Sequence, residues 1–253
     1  MRIKLTVAYD GTNYHGWQVQ PNGITIEEVL NKALSDLFEQ PISVLGASRT
    51  DSGVHALGNV AIFDVESRME PTRISYALNT RIPEDIVVVD SCRVDDDWHP
   101  HLVDSIKTYE YRILNRSFND PTRRLNTYHY HHKLDTDAMI LAAPHFEGTH
   151  DFSAFCSANA QVKTFTRTLH EVSVRLDNDE IIIRCVGDGF LYNMVRIIAG
   201  TLIKVGAGAI KPEEIEGIIE SKDRANAGPT APAHGLTLME IRDISNILEE
   251  VSI

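Results

Sequence analysis

The chain has 253 residues, 43% of them hydrophobic and 24% charged, with a formal net charge of −12. That apolar content excludes a chain disordered as its main state, and the length allows one or two domains with a sizeable core. The absence of a sustained repeat excludes collagen, mucin and coiled-coil designs.

The acidity is patchy. Glu84 to Asp104 carries seven acids and one base, Pro212 to Ile253 carries nine acids and three bases, and the other 190 residues balance to zero. A basic face for a polyanion is therefore compatible with the total. The expectation is that the two acidic blocks face away from such a site, and Asp95, Asp96 and Asp97 are its test. Cys92, Cys156 and Cys185 are odd in number and far apart, which argues against a disulfide scaffold or a zinc knuckle. No signal-peptide pattern and no membrane-length apolar run occurs, so a reducing, cytoplasmic location is expected.

Ile3, Leu5, Val7 and Tyr9 alternate as in a strand buried on one face. A Gly/Asn-rich loop follows, from Asp10 to Gly23. Thr25-x-x-Glu28 is a capping box, and Ile26, Val29, Leu30, Ala33, Leu34, Leu37 and Phe38 keep helical spacing behind it. Strands are expected at 42–47, 57–65 and 86–92, with a short helix at 72–79. After the first acidic block come strands at 107–114 and near 127–132 and a helix at 136–143. Strands at 169–176 and 181–186 flank an Asn178-Asp179 turn. Helices are expected at about 191–205, ending at Gly206, and from Pro212 to about 221; a last strand covers 235–242.

The order predicts an α+β fold: two pseudo-symmetric halves, mainly antiparallel sheet with helices packed on one side, and a central active-site cleft. The expected domains are 1–104 and 105–245, with a tail at 246–253.

Four segments concentrate chemistry. Ala47 to Ala56 places Asp51 in a polar loop with Arg49 two residues away. As a plain turn, Asp51 and Ser52 would bond the backbone and Gly53 would take a positive φ; as a site, the loop displays an ionised carboxylate. In Lys107 to Arg112, Tyr109 and Tyr111 share one strand face. One is expected in the core, and the other as a stacking platform for a base. In Gly187 to Arg196, Arg196 lies inside an apolar helix and needs a partner, for which Asp51 is the sharper candidate. Gly228 to Leu236 is dense in Pro and Gly, as suits a fixed loop beside a pocket or a rigid linker. His129, His131 and His132 invite a metal reading without an evident third ligand, so no metal is expected. Basic segments at 107–124, 152–170 and 193–211 are candidates for an RNA face.

Six collinear motifs resemble the TruA family of tRNA pseudouridine synthases. They are Tyr9-Asp10-Gly11-x-x-Tyr14-x-Gly16-Trp17-Gln18-x-Gln20-Pro21-Asn22, Arg49-Thr50-Asp51-x-Gly53-Val54-His55-Ala56, Thr108-Tyr109-x-Tyr111, Gly148 to Ser153, Gly189 to Arg196, and Ala227 to Leu236. The resemblance implies an isomerase that converts uridine to pseudouridine in a tRNA anticodon stem-loop, working as a homodimer with no metal or organic cofactor. It implies Asp51 as the catalytic carboxylate, Arg196 as its partner, and Tyr109 against the target base. Arg49 would help extrude the nucleotide, Leu236 would wall the pocket, and His55 would bind substrate. Three places depart from the family pattern: His99-Pro100-His101-Leu102 replaces His-Ala-Arg-Phe, Ser48 replaces glycine, and Asp188 replaces asparagine. The alternatives are a tRNA-binding or RNA-chaperone paralogue with weak or altered catalysis and, more remotely, an enzyme of small molecules.

Overall fold

The computed structural model describes residues 1–158 and 162–245. The chain forms two compact units, Met1–Ser105 together with the chain from Leu238 on, and Ile106–Thr237. Both mix helices with mainly antiparallel sheet, the α+β class expected.

In the first unit β1 (Arg2–Tyr9) lies between β3 (His55–Asp64) and β4 (Ile86–Val94), antiparallel to both. Ile3, Leu5, Val7 and Tyr9 are all buried, as their alternation requires. They share the core of this unit with Ile26, Leu30 and Leu34 of α1 (Ile26–Phe38) and with Ile74 and Leu78 of α2 (Ile74–Asn79). Thr25 caps α1 by accepting from Glu28 N–H at 3.3 Å. Asn79, at the end of α2, pairs with Val88 of β4 through both amide atoms, at 2.8 and 2.9 Å.

The strand expected at 42–47 shrinks to β2 (Leu45–Gly46). The reason is local: Ser35 and Asn31 of α1 take the N–H groups of Ile42 and Val44, leaving those residues unpaired with sheet. The last strand, β10 (Leu236–Asp243), was expected in the second half. From Leu238 it groups with the first unit, because it pairs with β3. Gly58 permits that approach: a Cβ there would sit 2.9 Å from the Met239 carbonyl oxygen. The expected tail, 246–253, lies outside the described residues.

In the second unit the strand order is β5 (Ser105–Leu114), β9 (Glu180–Gly187), β8 (Thr166–Asp177) and β7 (Gly148–Asp151), all antiparallel neighbours. The short β6 (Tyr128–His129) runs parallel to β5. It stops there because Asn115 takes the carbonyls of Tyr130 and His132. The β8–β9 hairpin turns at Asn178, whose φ is 54°. α3 (Thr136–Ala142), α4 (Met194–Gly206) and α5 (Ile215–Ser221) complete the unit. α4 starts three residues later than its apolar run suggests, since Asn193 before it is left-handed (φ 62°). Along α4 only Arg196 and Lys204 escape full burial. Phe146, Phe152 and Phe155 fill a separate part of the core, edge to face.

No helix among the described residues is long and apolar enough to cross a membrane. The three cysteines are free thiols, and burial pushes that of Cys185 up to about 12.

Candidate active site

The Asp51 loop is built onto the end of β1. Val54 N–H closes a turn onto the Asp51 carbonyl at 3.1 Å, with Gly53 at φ 77°, the positive value the sequence called for. The preceding loop holds this turn from below. Gly53 N–H and the Ser52 hydroxyl both donate to the Tyr14 carbonyl, and Trp17 N–H donates to that of Thr50. Gly16 (φ 85°) makes the approach possible, since a Cβ there would fall 2.5 Å from the Thr50 carbonyl oxygen. Thr50 and Tyr9 share a hydroxyl–hydroxyl bond of 2.8 Å, and Asn59 ties Tyr9 to the Ser48 carbonyl. Asp51 is half-buried and Arg49 exposed, between the buried Ser48 and Thr50.

His55, expected as a substrate contact, is buried, with Nδ1 3.1 Å from both Gly11 N–H and Asp10 Oδ1. Burial alone would raise the Asp10 carboxyl. The hydrogen bonds from Thr12 and the neighbouring His55 outweigh it and hold Asp10 below its usual range. The imidazole thus ties the 10–14 loop to β3.

The acidic block that precedes the tyrosine strand is divided by β4. Glu84 and Asp85 lead into the Tyr9 end of the sheet, where Asp85 accepts the Tyr14 hydroxyl at 2.6 Å. Asp95, Asp96 and Asp97 follow its other end, beside Arg2, whose N–H donates to Asp96. At about 3.3 Å per residue along β1, that end is roughly 23 Å from Tyr9. The triple aspartate therefore stands clear of the Asp51 loop within this unit, while Glu84 and Asp85 do not share its distance. The departing segment His99 to Leu102 is a surface turn of the same unit, with Leu102 81% exposed.

In the second unit, Arg196 is half-buried on α4. Its Nε donates to the Ala231 carbonyl at 2.7 Å and its Nη1 to the Asn193 side-chain oxygen at 2.7 Å. Ala231 N–H returns a bond to the Arg196 carbonyl. The 228–236 loop reaches this position because two glycines let it lie directly on the helix. A Cβ on Gly200 would sit 1.8 Å from the Pro229 carbonyl oxygen, and one on Gly228 would sit 2.5 Å from Thr201 N. Thr201 accepts Gly228 N–H at 2.9 Å. From the other side the Tyr111 hydroxyl donates to the Pro232 carbonyl at 2.8 Å. Burial, with Tyr128 adding to it, keeps that hydroxyl protonated far above its ordinary range. Tyr111 is fully buried, as expected of one member of the tyrosine pair, but the other is buried as well. Tyr109 is also 6% exposed, with its ring 5.1 Å from Phe190, edge to face. Leu236 begins β10, 5% exposed, just after this loop.

Within the basic segment 107–124, three arginines are ion-paired. Arg112 pairs with Glu110 and Glu180, Arg116 with Asp120 and Asp179, and Arg123 with Asp120, Asp179 and Glu180. Charge counting along the chain missed this, because Asp179 and Glu180 of the β8–β9 hairpin join the local acids Glu110 and Asp120. It also missed the 228–236 loop as the support of Arg196, for which the only sequence signal was Gly200 inside an apolar helix. Among the described residues no three His, Cys, Asp or Glu stand together as metal ligands. His129 Nε2 instead meets the Arg116 carbonyl at 2.8 Å.

A family model described as tRNA pseudouridine synthase matches residues 5–101 and 142–242. The chain is 49% identical over 239 residues to tRNA pseudouridine synthase A of Acetivibrio thermocellus, covering 94% of this chain and 98% of that protein. It is 45% identical to tRNA pseudouridine synthase A of a Thermoanaerobacter species, with the same coverage. It is also 45% identical to tRNA pseudouridine synthase A 2 of Clostridium tetani, over 94% of this chain and 97% of that protein.

Proposed function

This chain belongs to the tRNA pseudouridine synthase family, and from that premise we propose that it isomerises uridine to pseudouridine in the anticodon stem-loop of tRNA. The observation that carries this reading is near-complete coverage at 45–49% identity, together with an intact Asp51, Tyr109 and Arg196 set. A tRNA binder without catalysis is not favoured, since it would need none of these three.

Uridine and pseudouridine contain the same atoms. The N1–C1′ bond breaks, C5 bonds to C1′, a proton leaves C5 and N1 gains one, so the chemistry calls for no co-reactant. Asp51 is the catalytic carboxylate, acting at C1′, at C2′ or on the base. Arg196 is the cation that keeps it ionised and oriented; support for this pairing is the collinear match of both motifs to the family. Held at two nitrogens by Ala231 and Asn193, the guanidinium is fixed before substrate arrives, which is what electrostatic stabilisation requires. Tyr109 packs on the target base and Leu236 walls its pocket. Arg49, exposed beside the carboxylate, helps extrude the nucleotide, a step costing about a few kcal/mol. His55 acts through the loop it braces. The proposal extends to a homodimer that works in the cytoplasm.

The test is Asp51→Asn on an anticodon stem-loop transcript. Pseudouridine formation is expected to vanish while tRNA binding changes by less than about threefold, the fold being intact. Wild-type activity in that variant would remove Asp51 from the mechanism.

A further inference from the structure

Two cations next to Tyr109 have no place in the chemistry above. Lys107 opens the paired stretch of β5 opposite Gly187 of β9. Arg167, at the start of β8, extends over Gly189: a Cβ there would meet the Arg167 Cδ and Nε, each at 3.5 Å. The Arg167 Nη1 donates to the carbonyls of Thr164 and Thr166, which fixes the side chain. Burial, and then the nearby Arg167, hold the Lys107 ammonium below its ordinary range, whereas Asp188 pulls it up. Asp188 itself accepts Thr168 N–H, so it is locked beside the pair. One carboxylate thus faces two cations.

Keeping two like charges together at a half-buried position works against the fold unless something else gains from it. The surroundings suit an anion. Gly187 and Gly189 offer backbone without side chains. Phe190, the next residue, stands edge-on to Tyr109 at 5.1 Å. A half-buried aromatic, Phe190, beside two cations of which Arg167 is held by backbone carbonyls suits a nucleotide, with the charges for its phosphate.

We propose that Lys107 and Arg167 form a phosphodiester anchor for the tRNA strand that carries the target uridine. The proposal rests on tRNA being the substrate. Asp188 tunes the anchor by offsetting part of its charge.

The experiment measures tRNA affinity against salt from 50 to 200 mM for wild type, Lys107→Gln, Arg167→Gln and Asp188→Asn. Each lost phosphate contact is expected to lower the slope of log affinity against log salt by about 0.7–1. Binding at the low-salt end is expected to weaken by roughly tenfold for either cation variant, with Lys107→Arg restoring it. Asp188→Asn retains the acceptor for Thr168 N–H and is expected to tighten binding two- to fivefold. An opposite sign of that kind cannot come from structural damage. Unchanged slopes in both cation variants, or weaker binding in Asp188→Asn, would overturn the anchor. Pseudouridine formation by wild type on the same transcript is scored separately, so failure of the activity is distinguishable from failure of the anchor.

Discussion

Arg196 and Ala231 hold each other twice: the arginine carbonyl accepts Ala231 N–H at 3.1 Å, and its Nε donates back to the Ala231 carbonyl at 2.7 Å. A loop of two prolines and two glycines thereby becomes part of the helix it crosses. The guanidinium is set by backbone rather than by a neighbouring side chain alone, so small shifts of the loop are transmitted to its charge.

Gly200→Ala tests this directly. The added methyl meets the Pro229 carbonyl, and helix and loop must part. The expected cost is about 1–3 kcal/mol in urea unfolding, with pseudouridine formation down at least tenfold at a temperature where the variant is folded. Gly217→Ala on α5 is the contrast. Nothing lies within 4 Å of its Cβ position, and the variant is expected to gain roughly 0.5–1 kcal/mol with unchanged activity.

Tyr111→Phe removes the donor to the Pro232 carbonyl while keeping the ring. Stability is expected to fall by about 1 kcal/mol, and turnover by less than in Gly200→Ala, because the Gly228–Thr201 bond still holds the loop. Single-turnover rates of the two variants side by side provide the check.

Gly16→Ala works on the other unit. Its φ of 85° and the 2.5 Å approach to the Thr50 carbonyl leave no room for a side chain. Displacing Thr50 moves Asp51 with it, and an ångström at a reacting carboxylate costs on the order of 100-fold in rate. The expected outcome is that loss with tRNA affinity nearly retained; an active Gly16→Ala would show that the loop tolerates movement.

Acid sensitivity follows from several depressed carboxyls. Asp120 is held at about 2 by Thr122 and then Arg123, Asp179 is lowered by Arg123, and Asp64 by Arg2. Each lies below the unfolded value of about 3.9. Their contribution is complete above that value and disappears as pH falls through the folded value. The urea midpoint is therefore expected to be flat from pH 7 to 5 and to fall between about pH 4 and 2. Arg123→Met is expected to flatten that fall, and a profile identical to wild type would deny the cluster any role.

β1 and α1 were legible because one burial period runs uninterrupted through each, with Thr25 marking the helix start. The positive φ of Gly53 was legible as turn chemistry, while Asp51 and Arg196 stand out in the sequence because a carboxylate in a loop and a cation in an apolar helix each defy their surroundings. What failed depended on partners distant in the chain. The 42–47 strand lost its backbone groups to α1 side chains, and the 127–132 strand lost its to Asn115. In the basic run at 107–124, Arg112, Arg116 and Arg123 are paired in part by acids about 55–70 residues later, and β10 crossed to the first unit through a glycine contact. No count along the sequence contains these pairings.

β4 is the outermost strand of the first unit's sheet, and the Asn79 amide occupies both outward groups of Val88. That one side chain interrupts the open edge at the middle of its valine run, which hinders an extended segment from adding itself there. With Val87 and Val89 exposed on either side, an Asn79→Ala protein would offer a bare apolar edge. The consequence is a trade in shape: the asparagine that ends a short helix is also expected to slow aggregation through a valine-rich strand, and light scattering of concentrated Asn79→Ala against wild type checks it.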